Sequence, residues 1–216
     1  MFSLDLHIHS KYSYDCLVSP KGILRTAKRR GLNAVAITDH NTMIGGIKAS
    51  NLVKREKLKV MVIVGAEIST DVGDVIGLFI SEEISSKNFL EVVDEIHDQD
   101  GLVLLPHPFR SHRFNDLREI INQVDLLEIC NSRSPIGLEQ FNLLSSLNKT
   151  LVGGSDAHFT QEIGLCKTVI NAVDLDADEA REILLCPSNV IAYCSYDSSF
   201  FCILSQLVGF MKPRLF

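Results

Sequence analysis

The chain has 216 residues, 46% of them hydrophobic and 22% charged, a balance that excludes a disordered polypeptide and supplies enough apolar material for a sizeable core. With 21 lysines and arginines against 27 aspartates and glutamates, the formal charge is −6, so no global basic field exists to hold a nucleic-acid backbone. A stable nucleic-acid complex is not expected, and an anionic substrate would have to be held locally.

In chain order, short apolar runs alternate with helical patterns. Strands are expected at 4–8, 34–38, 60–64, 75–80, 102–105, 126–129, 151–152, 168–170 and 190–193. Helices are expected at 20–30, 42–55, 88–98, 114–123, 136–147 and 177–185. Ser19-Pro20 is a good helix start, and Gly31 after two arginines a good stop. Such βα alternation predicts a parallel sheet with helices outside it, closed into a barrel. A doubly wound sheet is disfavoured because no GxGxxG opens the first helix. The start, MFSLDLHIHSKYS, lacks the basic flank and apolar run of a signal peptide. The apolar stretch 200–211 is too short to span a bilayer and reads as a docked helix. A soluble, cytoplasmic protein is therefore expected. Its six cysteines (Cys16, Cys130, Cys166, Cys186, Cys194, Cys202) show no CxxC and read mainly as buried small hydrophobes in a reducing compartment.

Histidines dominate the chemistry. In the first strand, alternation places Asp5, His7 and His9 on one face and Leu4, Leu6 and Ile8 on the other. An HxH pair can chelate one ion but is common by chance. Here it is joined by Asp15 in SYD, His40 in TDHN, Glu67 in GAE, His107 in HPFR, and Asp156 with His158 in SDAH. Nearly all stand at strand ends, which converge at one mouth in a barrel. Mixed imidazole and carboxylate donors suit Zn²⁺, Mn²⁺ or Fe²⁺, whereas Ca²⁺ prefers oxygen alone. Five imidazoles and four carboxylates (Asp15, Glu67, Asp74, Asp156) are too many for one ion. Three dications against four carboxylates would leave about +2, favouring hydroxide and a phosphate oxyanion. His97, among acids on a helix, reads as a surface residue; His112 is a weaker candidate near the mouth. Cys16 reads as packing beside Asp15.

The segments DLHIHS, TDHN, GAE, HPFR and SDAH, in this order over roughly residues 1–170, resemble the PHP (polymerase and histidinol phosphatase) family of metal-dependent phosphoesterases. The resemblance implies a single PHP phosphoesterase domain over 1–216, an α/β distorted TIM-like (β/α)7 barrel of PHP type, with a helical tail at about 198–216. It implies two or three divalent ions. One site would use His7, His9, Glu67 and Asp156. A second would use Glu67 as a bridge with His107 and Asp74, and a third Asp15, His40 and His158. Asp74 departs from the histidine that many members carry there. The implied mechanism is in-line attack on phosphorus by a metal-activated hydroxide, with Arg110 and, more weakly, Arg133 holding the phosphate. Asp5 and Asp39 would orient the histidines from behind. The implied substrates are small organic phosphates or nucleotides, including bisphosphonucleotides or RNA. An insert of longer relatives is lacking between Asp74 and His107, and histidinol phosphate is another candidate. The rival readings are an amidohydrolase-type metal hydrolase and a non-catalytic metal-binding module.

Overall fold

The computed structural model describes residues 1–110, 117–195 and 199–212. Its nine strands are β1 (Phe2–Ile8), β2 (Ala34–His40), β3 (Met61–Thr70), β4 (Gly73–Leu78), β5 (Leu102–Leu105), β6 (Leu126–Asn131), β7 (Thr150–Gly154), β8 (Cys166–Ile170) and β9 (Val190–Cys194). The helices are α1 (Pro20–Arg29), α2 (Ile44–Glu56), α3 (Phe89–His97), α4 (Leu117–Gln123), α5 (Leu138–Ser145), α6 (Ala177–Leu184) and α7 (Ser199–Met211). One sheet runs in the order β7-β6-β5-β4-β3-β2-β1-β8-β9. It curls into a nearly closed barrel, the gap beside β7 being bridged by the backbone of Ala157 against His7 and His9.

The all-parallel expectation needs correction. β1–β2–β3 and β5–β6–β7 pair in parallel, but β4 is antiparallel to both neighbours and β8 to both of its own. Between Thr70 and Gly73, which face each other in the β3–β4 ladder, stand two residues, Asp71 and Val72. A connection that short makes a hairpin and cannot carry a crossover helix. Gly73, at φ 135°, accommodates its turn where a side chain would be strained.

Leu4, Leu6, Ala34, Ile63, Ile76, Leu104, Leu126 and Val152 fill the barrel interior. Outside, Ile8, Val35 and Ile37 pack under α1 and α2, and α3, α4 and α5 cover β3 to β6 through Val92, Ile96, Ile121 and Leu144. The expected strict alternation in β1 is also corrected. The β1–β2 register shifts between Asp5 and Ile8, a bulge that places Leu4 and Leu6 in the interior but Ile8 under the helices. Such an extra residue changes which face the following side chains take. His7 and His9 thereby join the interior end of the barrel, and Asp5 does not share their face.

Cys166 and Cys194, by pairing, and Cys186, by its exposure, depart from the reading of the six as mainly buried small hydrophobes. Cys166 and Cys194 stand opposite each other in the β8–β9 ladder, with Cα atoms 4.1 Å apart, and form a disulfide. Their separation of 28 residues gives no sequence signature, because the ladder register alone brings them together. Cys16 is buried, Cys130 half-buried and Cys186 exposed.

Candidate metal centre

His7 is the penultimate residue of β1, and His9 follows the strand. His40 closes β2 directly opposite Glu67 of β3. His107 lies two residues past β5, and Asp156 and His158 lie just past β7, while Asp15 comes from the β1–α1 loop. Three groups result: His9, Asp15, His40 and His158; His7, His9 and Asp156; His7, Glu67 and His107. Within each, candidate donor atoms lie within 4.8 Å of one another. Glu67 faces both ways, with Oε1 3.1 Å from His107 Nε2 and Oε2 3.2 Å from both His9 Nε2 and His40 Nδ1. Asp156 Oδ1 lies 3.5 Å from His9 Nε2 and 3.6 Å from His7 Nε2. Asp15 Oδ2 reaches His158 Nε2 at 2.8 Å and His40 Nε2 at 3.4 Å. All eight are buried or nearly so.

The supports come from neighbouring strands and from the loop after β1. Glu128 of β6, which the sequence reading missed, accepts from His7 Nδ1 at 3.1 Å and from the His107 amide at 2.9 Å. That contact leaves His7 Nε2 facing the cluster. Asn131 donates to Glu128 at 2.7 Å. A Cβ at Gly154 would stand 2.5 Å from both Glu128 Oε1 and His7 Cβ, so only glycine lets β7 pass this close. Asp39 accepts from the Ser10 amide, Ser10 Oγ and Ser13 Oγ at 2.6–3.0 Å, and Ser13 Oγ in turn meets His9 Nδ1 at 2.9 Å. Asp39 thus orients His9 through Ser13, another residue missed. Asp5 touches no imidazole. It accepts from Ser155 N and Oγ at 2.8 and 2.6 Å and from Gly164 N at 2.7 Å, anchoring the segment that carries Asp156. Burial pushes its pKa up to about 6 against those hydrogen bonds.

His107 and Asp156 adopt φ 30° and 54°. Left-handed backbone at non-glycine residues costs on the order of 1 kcal/mol or more and persists where surrounding contacts impose it. The buried donors perturb one another strongly. Burial opposes charge on His9, yet Asp156 and Glu67 override it and push its pKa up to about 9. Burial, with His9 nearby, pushes His158 down to about 4. Burial also opposes charge on Glu67 and Asp156, but surrounding cations (His40 and His7 for Glu67, Arg110 and His7 for Asp156) hold both well below the usual carboxylate range.

The donor set fits divalent ions on two observations. His7 Nε2 and His9 Nε2 are 3.1 Å apart, close to the roughly 3.3 Å expected of two nitrogens sharing one tetrahedral ion at about 2.0–2.1 Å. Asp15 Oδ1 and His107 Nδ1 are buried with no hydrogen-bond partner, a cost that a nearby cation reduces for the carboxylate oxygen.

Other candidates fall at graded distances. Arg110 lies at the edge of the cluster, its Nη2 2.5 Å from Asp156 Oδ2 and its Nε donating to Ser134 Oγ at 2.8 Å, with 42% of the side chain exposed. Arg133 is 8% exposed and fully engaged by Glu162, His158 Nδ1, the Phe201 carbonyl and Ser205 Oγ at 2.8–3.0 Å. Its guanidinium ties α7 to the site and is not turned outward. Asp74 is half-buried opposite Ser69 in the β3–β4 ladder and belongs to none of the three groups. The hairpin register carries it toward the turn, two ladder positions beyond the Glu67–Ile76 pair. Exposed His97 pairs with Asp125 at 2.9 Å, and His112 lies outside the described residues. Cys16 Sγ meets the carbonyls of His9 and His158 at 3.3 and 3.2 Å, and burial raises its pKa, so its role is packing.

With that geometry established, known proteins resemble the chain consistently. The PHP domain model matches residues 5–185, and the chain belongs to the PHP family. Two uncharacterized proteins of Methanocaldococcus jannaschii are similar. MJ1587 is 41% identical over 116 residues (49% of this chain, 67% of that protein). MJ0417 is 35% identical over 173 residues (74% of this chain, 67% of that protein). Among solved structures, a two-domain protein of Bacteroides vulgatus containing a predicted PHP-like metal-dependent phosphoesterase superposes with TM-score 0.74 at 21% identity, over 98% of this chain and 69% of that one. Among the described residues no helix is long and apolar enough to cross a membrane.

Proposed function

We propose that the chain is a hydrolase of phosphate esters, small organic or nucleotide, working with two or three divalent ions (Zn, Mn or Fe). The observation that carries this reading is the convergence of eight imidazole and carboxylate groups, from five strands or the segments just past them and from one loop, into one buried cluster with one arginine at its rim. His7, His9 and Asp156 would hold one ion, Glu67 and His107 a second, and Asp15, His40 and His158 a third. When bound, such ions polarise a phosphoryl oxygen and lower the pKa of water toward neutrality. The protein supplies the rest. Glu128 and the Ser13–Asp39 pair hold His7 and His9 in one tautomer and orientation. Arg110, fixed at Nε by Ser134 and lying against Asp156, would offer its guanidinium to a non-bridging phosphate oxygen beside the ligands. Burial of the donors excludes water and strengthens each of these contacts.

An amidohydrolase commonly bridges its ions with a carboxylated lysine. Here a glutamate, Glu67, occupies the two-sided position between His107 on one side and His9 and His40 on the other. A non-catalytic module would not need a rim arginine. The test is turnover of p-nitrophenyl phosphate, bis(p-nitrophenyl) phosphate and a p-nitroanilide amide by metal-stripped and reconstituted protein, with metal content followed by elemental analysis. Ester hydrolysis restored only with metal supports the proposal. Full activity in metal-free protein, or amide turnover alone, refutes it.

A further inference from the structure

Outside the metal centre, the loop after β1 and helices α1 and α2 line an open cleft of about 410 Å³. Lys11, Lys21, Lys48 and Arg55 line it, Tyr12 and Leu52 give it apolar walls, and no acidic residue lines it. Such a concentration of one charge is unexpected on a chain of net charge −6. Glu56 pairs with Lys21 at 3.0 Å and Arg55 at 3.4 Å, so one acid offsets part of two cations. Lys48 has no acidic partner among the described residues, and Lys11 lies over the Tyr12 ring at 5.4 Å. The volume falls within the range of small-ligand sites, about 300–1,000 Å³.

The cleft shares a wall with the metal centre. Within Ser10–Ser13 the two serines turn inward to Asp39, and Ser13 reaches His9, while Lys11 and Tyr12 turn outward to the cleft. Two peptide units separate Lys11 from His9, so their Cα atoms are within about 8 Å. The turn is pinned by Lys212, whose ammonium donates to the carbonyls of Lys11, Ser13 and Cys16 at 2.5–3.0 Å. We propose that this cleft is a second phosphate-binding subsite, which takes a phosphate of the substrate other than the one hydrolysed. This rests on the phosphoesterase reading and narrows its substrates to multiply phosphorylated ones. Ammonium and guanidinium groups around an open cleft recognise a phosphate dianion, and Tyr12 with Leu52 covers the adjoining carbon skeleton.

A Lys11→Gln/Lys48→Gln double variant tests it, since neither residue belongs to the metal centre. Its kcat/KM should stay within twofold of wild type for p-nitrophenyl phosphate and fall at least tenfold, mainly through KM, for a nucleoside 3′,5′-bisphosphate. A hexose bisphosphate run in parallel separates a need for the second phosphate from a need for a base. Lys48→Arg should retain most of the wild-type value. Equal changes on the mono- and bisphosphate substrates overturn the subsite. Should wild type turn over no bisphosphate, or no ester at all, calorimetric titration of pyrophosphate into the metal-loaded protein decides the cleft independently. A tenfold or greater weakening in the double variant supports it. Absent binding in wild type, or affinity unchanged in the variant, overturns it.

Discussion

Glu128 holds His7 from β6, across the closely passing β7, so the chemistry of the centre depends on a residue that belongs to none of the three donor groups. Glu128→Gln replaces an acceptor that fixes Nδ1–H by an amide able to present either end. Metal affinity at the His7/His9 position is expected to fall about 10–100-fold, measured by competition with a chromophoric chelator. Arg110→Ala should keep its full metal content and lose about 1.5–3 kcal/mol of transition-state binding, roughly 10–150-fold in kcat/KM, with Arg110→Lys recovering only part. Asp74 supplies a contrasting case. Its ladder position opposite Ser69 predicts that Asp74→Ala keeps the wild-type metal stoichiometry by elemental analysis. At this scale the donor types were readable from HxH, TDHN, GAE, HPFR and SDAH. Glu128 and Ser13 were not, because a lone glutamate in LLEICN and a serine in KYSYD gain meaning only from neighbours 121 and 4 residues away. The available signal was a charge inside an apolar strand, which is costly unless partnered.

Helix α7 and the β8–β9 pair show what the elements add. Arg133 donates to the Phe201 carbonyl and Ser205 of α7, Phe159 packs on Phe201 with ring centroids 5.4 Å apart, and Lys212 pins the loop bearing Asp15. Arg133→Ala removes the ion-pair partner of buried Glu162, leaving it only the amides of His158 and Phe159, and should cost about 3 kcal/mol, read as a lowered denaturation midpoint. Early proteolytic cleavage near α7 should accompany it, which a simple loss of phosphate binding would not produce. The Cys166–Cys194 pair predicts that alkylation in denaturant without reductant leaves two of the six cysteines unmodified, and that reduction exposes both. Closing such a loop typically contributes about 2–4 kcal/mol. The positions of strands and helices followed from apolar periodicity, with boundary shifts of a few residues. Strand direction did not, since a period of two reads the same either way and only the two-residue turn at Asp71-Val72 reverses β4.

For the molecule as a whole, the barrel and the centre stabilise each other. The seam beside β7 is closed by backbone bonds between Ala157 and both His7 and His9, the strand ends that carry donors. Ions bound there cross-link segments from residue 7 to residue 158 that are far apart in the unfolded chain. Each ion at 100-fold above its Kd contributes about 2.7 kcal/mol. Loading one ion should therefore raise Tm by about 5–11 °C in a calorimetric scan, and chelation should reverse it. What the sequence by itself determined was the alternation of strand and helix, the barrel class, the family and the residue types able to hold metals. These depend on local period and on short motifs, which survive without knowledge of partners. The tertiary structure alone decided the antiparallel β4, β8 and β9, the bulge that turns His7 and His9 into the interior, the disulfide, the ladder place of Asp74 opposite Ser69 and the engagement of Arg133 by α7. Each of these is set by register or by contacts between distant segments, where a shift of one residue moves a side chain to the opposite face.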